Sequence, residues 1–273
     1  MKKVIALTMV FAAVQLITSC STNKVQSSKV NVEDNSHLLT QGPLWGALYQ
    51  QQAAEYKALT LQAYNIAREK LDRYIQTPGD KPFAVISDID ETILDNSPNA
   101  VHDALHNHTY SDTSWMTWTK KGEADTVPGA PAFFKYAASK NITVFYISNR
   151  TTQELPQTIA NLKKYDMPYT DEAHILLKTT TSNKDARRAQ VAANYNVLLY
   201  FGDNLGDYKG VFDRKPVESR DSLVHQYAGD FGNRFIILPN PVYGEWVAAL
   251  YHYRYSDSMR VKADSMLKTL RSY

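Results

Sequence analysis

Short unbroken apolar runs alternate with stretches of helical spacing along most of this chain, and that rhythm predicts a fold class before any single residue is considered. Five runs read as strands: Phe83–Ser87, Ile142–Ile147, His174–Leu177, Val197–Phe201 and Arg234–Leu238. Continuous rather than alternating hydrophobicity marks strands covered on both faces, and helical stretches lie between most of them. Such alternation builds an α/β, Rossmann-like doubly wound parallel sheet of about five strands, whose ligands bind at the carboxyl ends of the strands. Upstream, Leu48, Tyr56, Leu59, Ala63, Ile66, Ala67, Leu71 and Tyr74 recur near helical spacing, and Thr77-Pro78-Gly79-Asp80 closes that region with a turn. Downstream, Gly244–Tyr273 reads as helix, with Val247, Leu250, Tyr251, Met259, Met266, Leu267 and Leu270 as its buried face. Polar and aromatic residues from Asn96 to Thr126 interrupt the alternation and read as an insertion over the site. The expected domain therefore runs from 43 to 273, with its core at about 80–95 and 127–240. Helical elements at 44–76, 96–126 and 244–272 form a smaller subdomain.

The N-terminus follows another rule. Lys2-Lys3, an apolar run from Val4 to Ile17, and Thr18-Ser19-Cys20 form a bacterial export signal too short to span a bilayer, ending in a lipobox. Cys20, the single cysteine, is the expected lipidation site, so a membrane is an expected partner. Ser21 in place of an aspartate favours the outer membrane. Residues 20–42 lack periodicity and read as a flexible tether, with folding expected to begin near Pro43. Removing the first 19 of 273 residues leaves 254, enough for one large domain. The basic count falls from 30 to 28, equal to the 28 acidic residues, which argues against a nucleic-acid polymer as partner. No further cysteine remains, so packing rather than disulfides must hold the fold.

The first strand runs straight into Asp88-Ile-Asp90. Strand side chains alternate, so the two carboxylates leave on one side, as an acidic turn, a metal site or a catalytic dyad. Two more strands resolve the choice, because Ser148-Asn149-Arg150 follows the second and Gly202-Asp203-Asn204-Leu-Gly-Asp207 follows the fourth. Carboxylate oxygens suit Mg²⁺, which binds phosphate oxygens well. Asp88 can take a phosphoryl group as an aspartyl phosphate, and Asp90 can protonate the leaving oxygen and then activate water. Ser148 with the Asn149 amide can donate to phosphoryl oxygens. Lys178 and Lys184 compete to neutralise the remaining charge, and the capped helix start Ser182-Asn183-Lys184-Asp185 favours Lys184.

These residues resemble the four motifs of the haloacid dehalogenase superfamily phosphatases. Asp88-Ile-Asp-Glu-Thr-Ile-Leu-Asp95-Asn96-Ser97-Pro98 and Pro239-Asn240-x-x-Tyr243-Gly244-x-Trp246 are similar to signatures of its class C acid phosphatases, bacterial outer-membrane lipoproteins. The resemblance spans about Leu44 to the C-terminus. It implies one Mg²⁺ on the Asp88 side chain, the Asp90 carbonyl and Asp203, with Asp207 in the outer shell and Lys184 on the phosphate. It also implies an acid optimum, with 5′-nucleotides and aryl phosphates as substrates; a second copy of the chain, as a dimer, is a further candidate partner. Trp115, Trp118 and Tyr243 can offer faces to a flat leaving group, and the resemblance selects Trp115 and Tyr243 for stacking. His102, His106 and His108 lie on a polar segment and read as solvated rather than as metal ligands. Two other readings are a surface lipoprotein binding a ligand such as haem, and a phosphotransferase with an alcohol acceptor.

Overall fold

A computed structural model describes residues 34–273; Cys20, the rest of the export signal and most of the expected tether lie outside the described residues. The first half of the chain carries α1 (His37–Gln52), α2 (Ala54–Tyr74), β1 (Phe83–Ser87), β2 (Leu94–Asp95), α3 (Ser97–Leu105), α4 (Asp112–Thr119), β3 (Asp125–Thr126) and α5 (Ala130–Ser139). The second half carries β4 (Thr143–Thr151), α6 (Leu155–Lys164), β5 (Ile175–Lys178), α7 (Asp185–Asn194), β6 (Asn196–Gly202), α8 (Val217–Gln226), β7 (Phe235–Ile237), α9 (Glu245–Leu250) and α10 (Met259–Leu267). The five long strands form one parallel sheet in the order β5-β4-β1-β6-β7. The chain leaves β1 toward one edge and returns to its other side at β6, so the switch in strand order falls at β1.

Period-two geometry explains how apolar strands fill both layers. Val85, Val144, Tyr146, Leu199 and Phe201 pack with Tyr64, Ala67 and Leu71 of α2 and with Phe133, Phe134 and Ala137 of α5. Ala84, Ile86, Phe145, Ile147 and Val197 face the other way, onto Val191 of α7. Phe201 lies where the first layer is tightest, its ring centroid 4.8 Å from Phe133, 5.3 Å from Phe134 and 5.8 Å from Tyr64. It is also the residue before Gly202-Asp203, so core packing sets the position of a strand end that matters below. Phe201→Ala should lower stability by about 3–5 kcal/mol in denaturant unfolding.

Two expectations need correction. Helical structure is present before Pro43: α1 starts at His37 and carries Pro43 inside it. A proline there removes one backbone donor, and burial of Thr40, Gly46 and Ala47 offsets that loss. The helical region from Leu44 to Tyr74 is helical as expected, and it divides into two helices at Ala53, which is extended at φ −76°, ψ 125°. At the C-terminus the buried residues are small, Ala248, Ala249 and Ala263, whereas Met259, Leu267 and Leu270 are exposed. Short helices α9 and α10 press their alanines inward, and the apolar periodicity of the larger side chains misled. Between Leu94–Asp95 and Asp125–Thr126 an antiparallel ladder pins the ends of the insertion, so α3 and α4 stand over the sheet's carboxyl edge on a fixed neck. No helix of the described residues is long and apolar enough to cross a membrane.

Candidate active site

Asp88 continues the sheet by one bond, its backbone N–H donating to the Phe201 carbonyl at 2.9 Å, and then the strand ends. The turn that follows needs left-handed backbone at Glu91, φ 54°. Side-chain alternation therefore lapses after Asp88, and the two aspartates enter different networks. Asp88 Oδ1 accepts from Lys184 Nζ at 2.5 Å, and the same ammonium lies 2.7 Å from Asp207 Oδ1. Asp90 instead meets Arg150, whose Nε and Nη2 donate to Oδ1 at 3.0 and 2.8 Å, while Ser148 Oγ donates to Oδ2 at 3.2 Å and Asn96 Nδ2 to Oδ1 at 2.9 Å. Both aspartates line one cavity of about 530 Å³ at the carboxyl edge of the sheet.

Asp203 leaves β6 next to β1 and accepts amide N–H groups from Asn204 at 2.6 Å and Asn240 at 2.8 Å. Asp207 folds back under it because residue 202 has no side chain: a Cβ on Gly202 would lie 2.3 Å from Asp207 Oδ2. Oxygens of Asp88, Asp203 and Asp207 come within 4.8 Å of one another. Burial pushes the Asp88 carboxyl up to about 7 against the pull of Lys184. Asp203 is raised well above the usual carboxylate range by burial and then by Asp207 and Asp88. Burial alone would lower Lys184, but Asp207 and Asp88 outweigh it and hold the ammonium above its ordinary value. One lysine cannot neutralise three clustered carboxylates, and the donor set is oxygen throughout. A divalent cation on Asp88, Asp203 and Asp207 fits both facts. Asp207 thus stands within the acidic cluster itself, beside Asp88 and Asp203.

Of the two competing lysines, Lys184 reaches the cluster, while Lys178 ends β5 outside the cavity lining. Ser148 is fully buried and bonded to Asp90, and Asn149 is exposed at the cavity with its Oδ1 accepting from Arg187 at 2.8 Å. The strand carrying them does not stop at Ile147: β4 runs on to Thr151, with a break in its register against β5 across Ser148-Asn149-Arg150. Trp115 and Tyr243 meet at the cavity wall, ring centroids 6.5 Å apart at 73°. Trp118 turns away, its indole N–H donating to Asn96 Oδ1 at 2.8 Å and its ring against the core. His102 and His106 lie with ring centroids 4.3 Å apart, tilted by 40°, outside the acidic cluster.

The roles of five residues escaped sequence reasoning. Arg150, Glu91, Asn96, Asn240 and Glu154 hold the groups above, and all but Glu154 lie in motifs quoted from the sequence. Their partners are 37–152 positions away or inside a turn whose path only the fold defines.

A sheet of this order with an aspartate at the exit of its first strand and an acidic cluster beneath a cap is the architecture of haloacid dehalogenase-like proteins. The sequence model of the HAD superfamily, subfamily IIIB (acid phosphatase), matches residues 10–246, and the chain belongs to that family. The class C acid phosphatase of Bacillus anthracis superposes with a TM-score of 0.83 at 40% identity, covering 86% of this chain and 99% of that one. A second structure of it, with tungstate bound, gives a TM-score of 0.83 at 39% identity over the same shares. Among curated proteins the chain is 25% identical over 161 residues to a stem 31 kDa glycoprotein of Glycine max and 26% over 203 to a stem 28 kDa glycoprotein. Those matches cover 57% and 71% of this chain, which spans 57% and 70% of the two proteins' lengths.

Proposed function

We propose that this acid phosphatase family member is a Mg²⁺-dependent phosphomonoesterase that takes nucleoside 5′-monophosphates and aryl phosphates and works through a phosphoryl group carried on Asp88. The observation that carries this reading is the ammonium of Lys184 set between Asp88 and Asp207 at 2.5 and 2.7 Å on the floor of a cavity large enough for a nucleotide. Asp88 Oδ attacks phosphorus as the bond to the leaving oxygen breaks. Asp90 gives that oxygen a proton, for which its carboxyl exchanges Arg150 and Ser148 for the substrate. It then takes a proton from water, which attacks phosphorus and frees Asp88. Lys184 holds the transferring oxygens by charge-assisted hydrogen bonds. When bound, a divalent cation would supply charge neutralisation at those oxygens, held by Asp88, Asp203 and Asp207. The tungstate bound by the Bacillus anthracis protein is a tetrahedral oxyanion, which supports the reading that this chain, too, takes a phosphoryl group.

Asp88→Asn is the direct experiment: hydrolysis of p-nitrophenyl phosphate should fall by roughly 10⁴-fold or more. Retained activity would remove Asp88 as the nucleophile. The N-terminal sequence supports a lipid anchor on Cys20 at the bacterial outer membrane. Metabolic labelling with palmitate should mark the wild-type chain and miss Cys20→Ala; equal labelling of both would refute the anchor.

A further inference from the structure

The two aromatic walls of the cavity are each held at the polar tip by a buried glutamate, and neither glutamate takes part in the chemistry above. Glu91 is 1% exposed, in a left-handed conformation that L side chains rarely adopt. Its Oε1 accepts from the Asn96 backbone N–H at 2.7 Å, and its Oε2 accepts from the Tyr243 hydroxyl. Glu154 is 4% exposed; its Oε2 accepts from Thr151 N–H at 2.7 Å and Thr151 Oγ1 at 2.9 Å, which leaves Oε1 for the Trp115 indole N–H at 3.1 Å. Tyr243 is tied at its base as well. Its backbone N–H donates to Asn240 Oδ1 at 3.1 Å, and Asn240 Nδ2 donates to Asp203 Oδ2 at 2.8 Å. The next residue, Gly244, has φ 140°, and a Cβ there would lie 2.6 Å from Asn204 Oδ1, so this loop has one path.

Tyr243 is 36% exposed, and a ring that open would exchange rotamers freely were its tip not held. Held as they are, the two rings stand edge to face rather than parallel. They make a corner, in which a flat group lies on one ring and meets the edge of the other. We propose that Glu91 and Glu154 are positioning residues: by fixing Tyr243 and Trp115 in this corner before substrate arrives, they select phosphomonoesters with flat aromatic leaving groups over aliphatic ones. The proposal rests on the phosphomonoesterase reading and adds a source of specificity to it. Ordering the rings in advance removes a cost that binding would otherwise meet, and only a ligand that uses the corner gains by it.

The measurement is the ratio of kcat/KM for p-nitrophenyl phosphate to that for glycerol 2-phosphate, on the full metal-loaded chain. Tyr243→Phe removes the bond to Glu91 and keeps the ring; it should lower the ratio about fivefold, through KM. Glu91→Ala should lower it as far, and Glu91→Gln, whose amide still reaches the phenol, should restore at least half of it. The double variant Tyr243→Phe/Glu91→Ala should be no worse than either single change, as expected for two ends of one interaction. Glu154→Ala should act likewise through Trp115. Equal losses on both esters, or an unchanged ratio in Tyr243→Phe and Glu91→Ala, overturn the proposal. If Trp115→Ala alone lowers the ratio, the corner binds substrate but the glutamates do not set it, and the phosphomonoesterase reading stands. If the wild-type protein hydrolyses neither ester, that reading fails and the proposal falls with it.

Discussion

The floor and the wall of the cavity are built by different physics. Asp88 and Asp203 come from the ends of two hydrogen-bonded neighbours, β1 and β6, whose register pairs Ser87 with Phe201. Parallel strands lie about 4.8 Å apart, so once the register is set the two carboxylates have nowhere else to go. Trp115 and Tyr243 come from α4 and from the loop after β7, and only side-chain hydrogen bonds to Glu154, Glu91 and Asn240 bring them together. A floor made by backbone register resists single substitutions in its surroundings and fails when its own charges are removed. A wall made by side-chain ties can be loosened one bond at a time.

After loss of the nucleophile itself, the largest effect of a single substitution should come from the floor's cation. Lys184→Met keeps the volume of the side chain and leaves Asp88 and Asp207 without their shared partner. Turnover should drop by roughly 10²–10³-fold or more on every phosphomonoester tried, aliphatic and aromatic alike. A loss confined to aromatic esters would erase the distinction between floor and wall. Chelation with EDTA should abolish turnover in the same substrate-blind way, and added Mg²⁺ should restore it. Activity that survives chelation would refute the metal reading.

Loosening the wall should do less, and selectively. Trp115→Ala should raise KM for p-nitrophenyl phosphate about tenfold, the size expected for losing one aromatic stacking face, with a smaller change for glycerol 2-phosphate. Steady-state kinetics on the two esters checks it. A fall in kcat equal on both would mean that Trp115 supports the floor, through Arg150, whose guanidinium lies 5.9 Å from its ring.

The same division decides what the sequence could disclose. Five apolar runs gave five strands with ends displaced by a few residues, because a strand buried on both faces writes its burial into consecutive positions. Asp88, Asp203 and Asp207 were legible for a related reason: each follows a strand, and a parallel sheet gathers strand ends at one edge, whereas Lys184 was read from the helix start that carries it. Arg150 was visible as part of a motif but not as the partner of Asp90, 60 positions away. Glu91 read as one more acid beside Asp90, since nothing local says that its backbone turns left-handed and sends its carboxyl to a tyrosine 152 positions on. The alternation argument for Asp88 and Asp90 held only as far as the strand did. Long-range polar ties carry no period, and periodicity is what a single sequence offers.

The smallest expected effect is on stability, and it separates floor from wall without any substrate. Burial raises Asp88 to about 7 and Asp203 well above the usual range, so the folded chain without metal prefers both carboxyls protonated. An acid whose folded pKa is raised contributes stability that is complete below its unfolded pKa, near 4, and is lost as pH rises through the folded value. In EDTA the melting temperature should therefore fall by a few degrees between about pH 4 and pH 7 from this source. Mg²⁺ should reduce the slope by supplying the missing positive charge. Asp88→Asn, which keeps the shape of the protonated aspartate and cannot ionise, should make it shallower even in EDTA, leaving the share of Asp203. Trp115→Ala removes part of the wall and no floor charge, so it should shift the curve without changing its slope. If Asp88→Asn and wild type lose stability in parallel over that range, charge in the floor is not what the metal relieves.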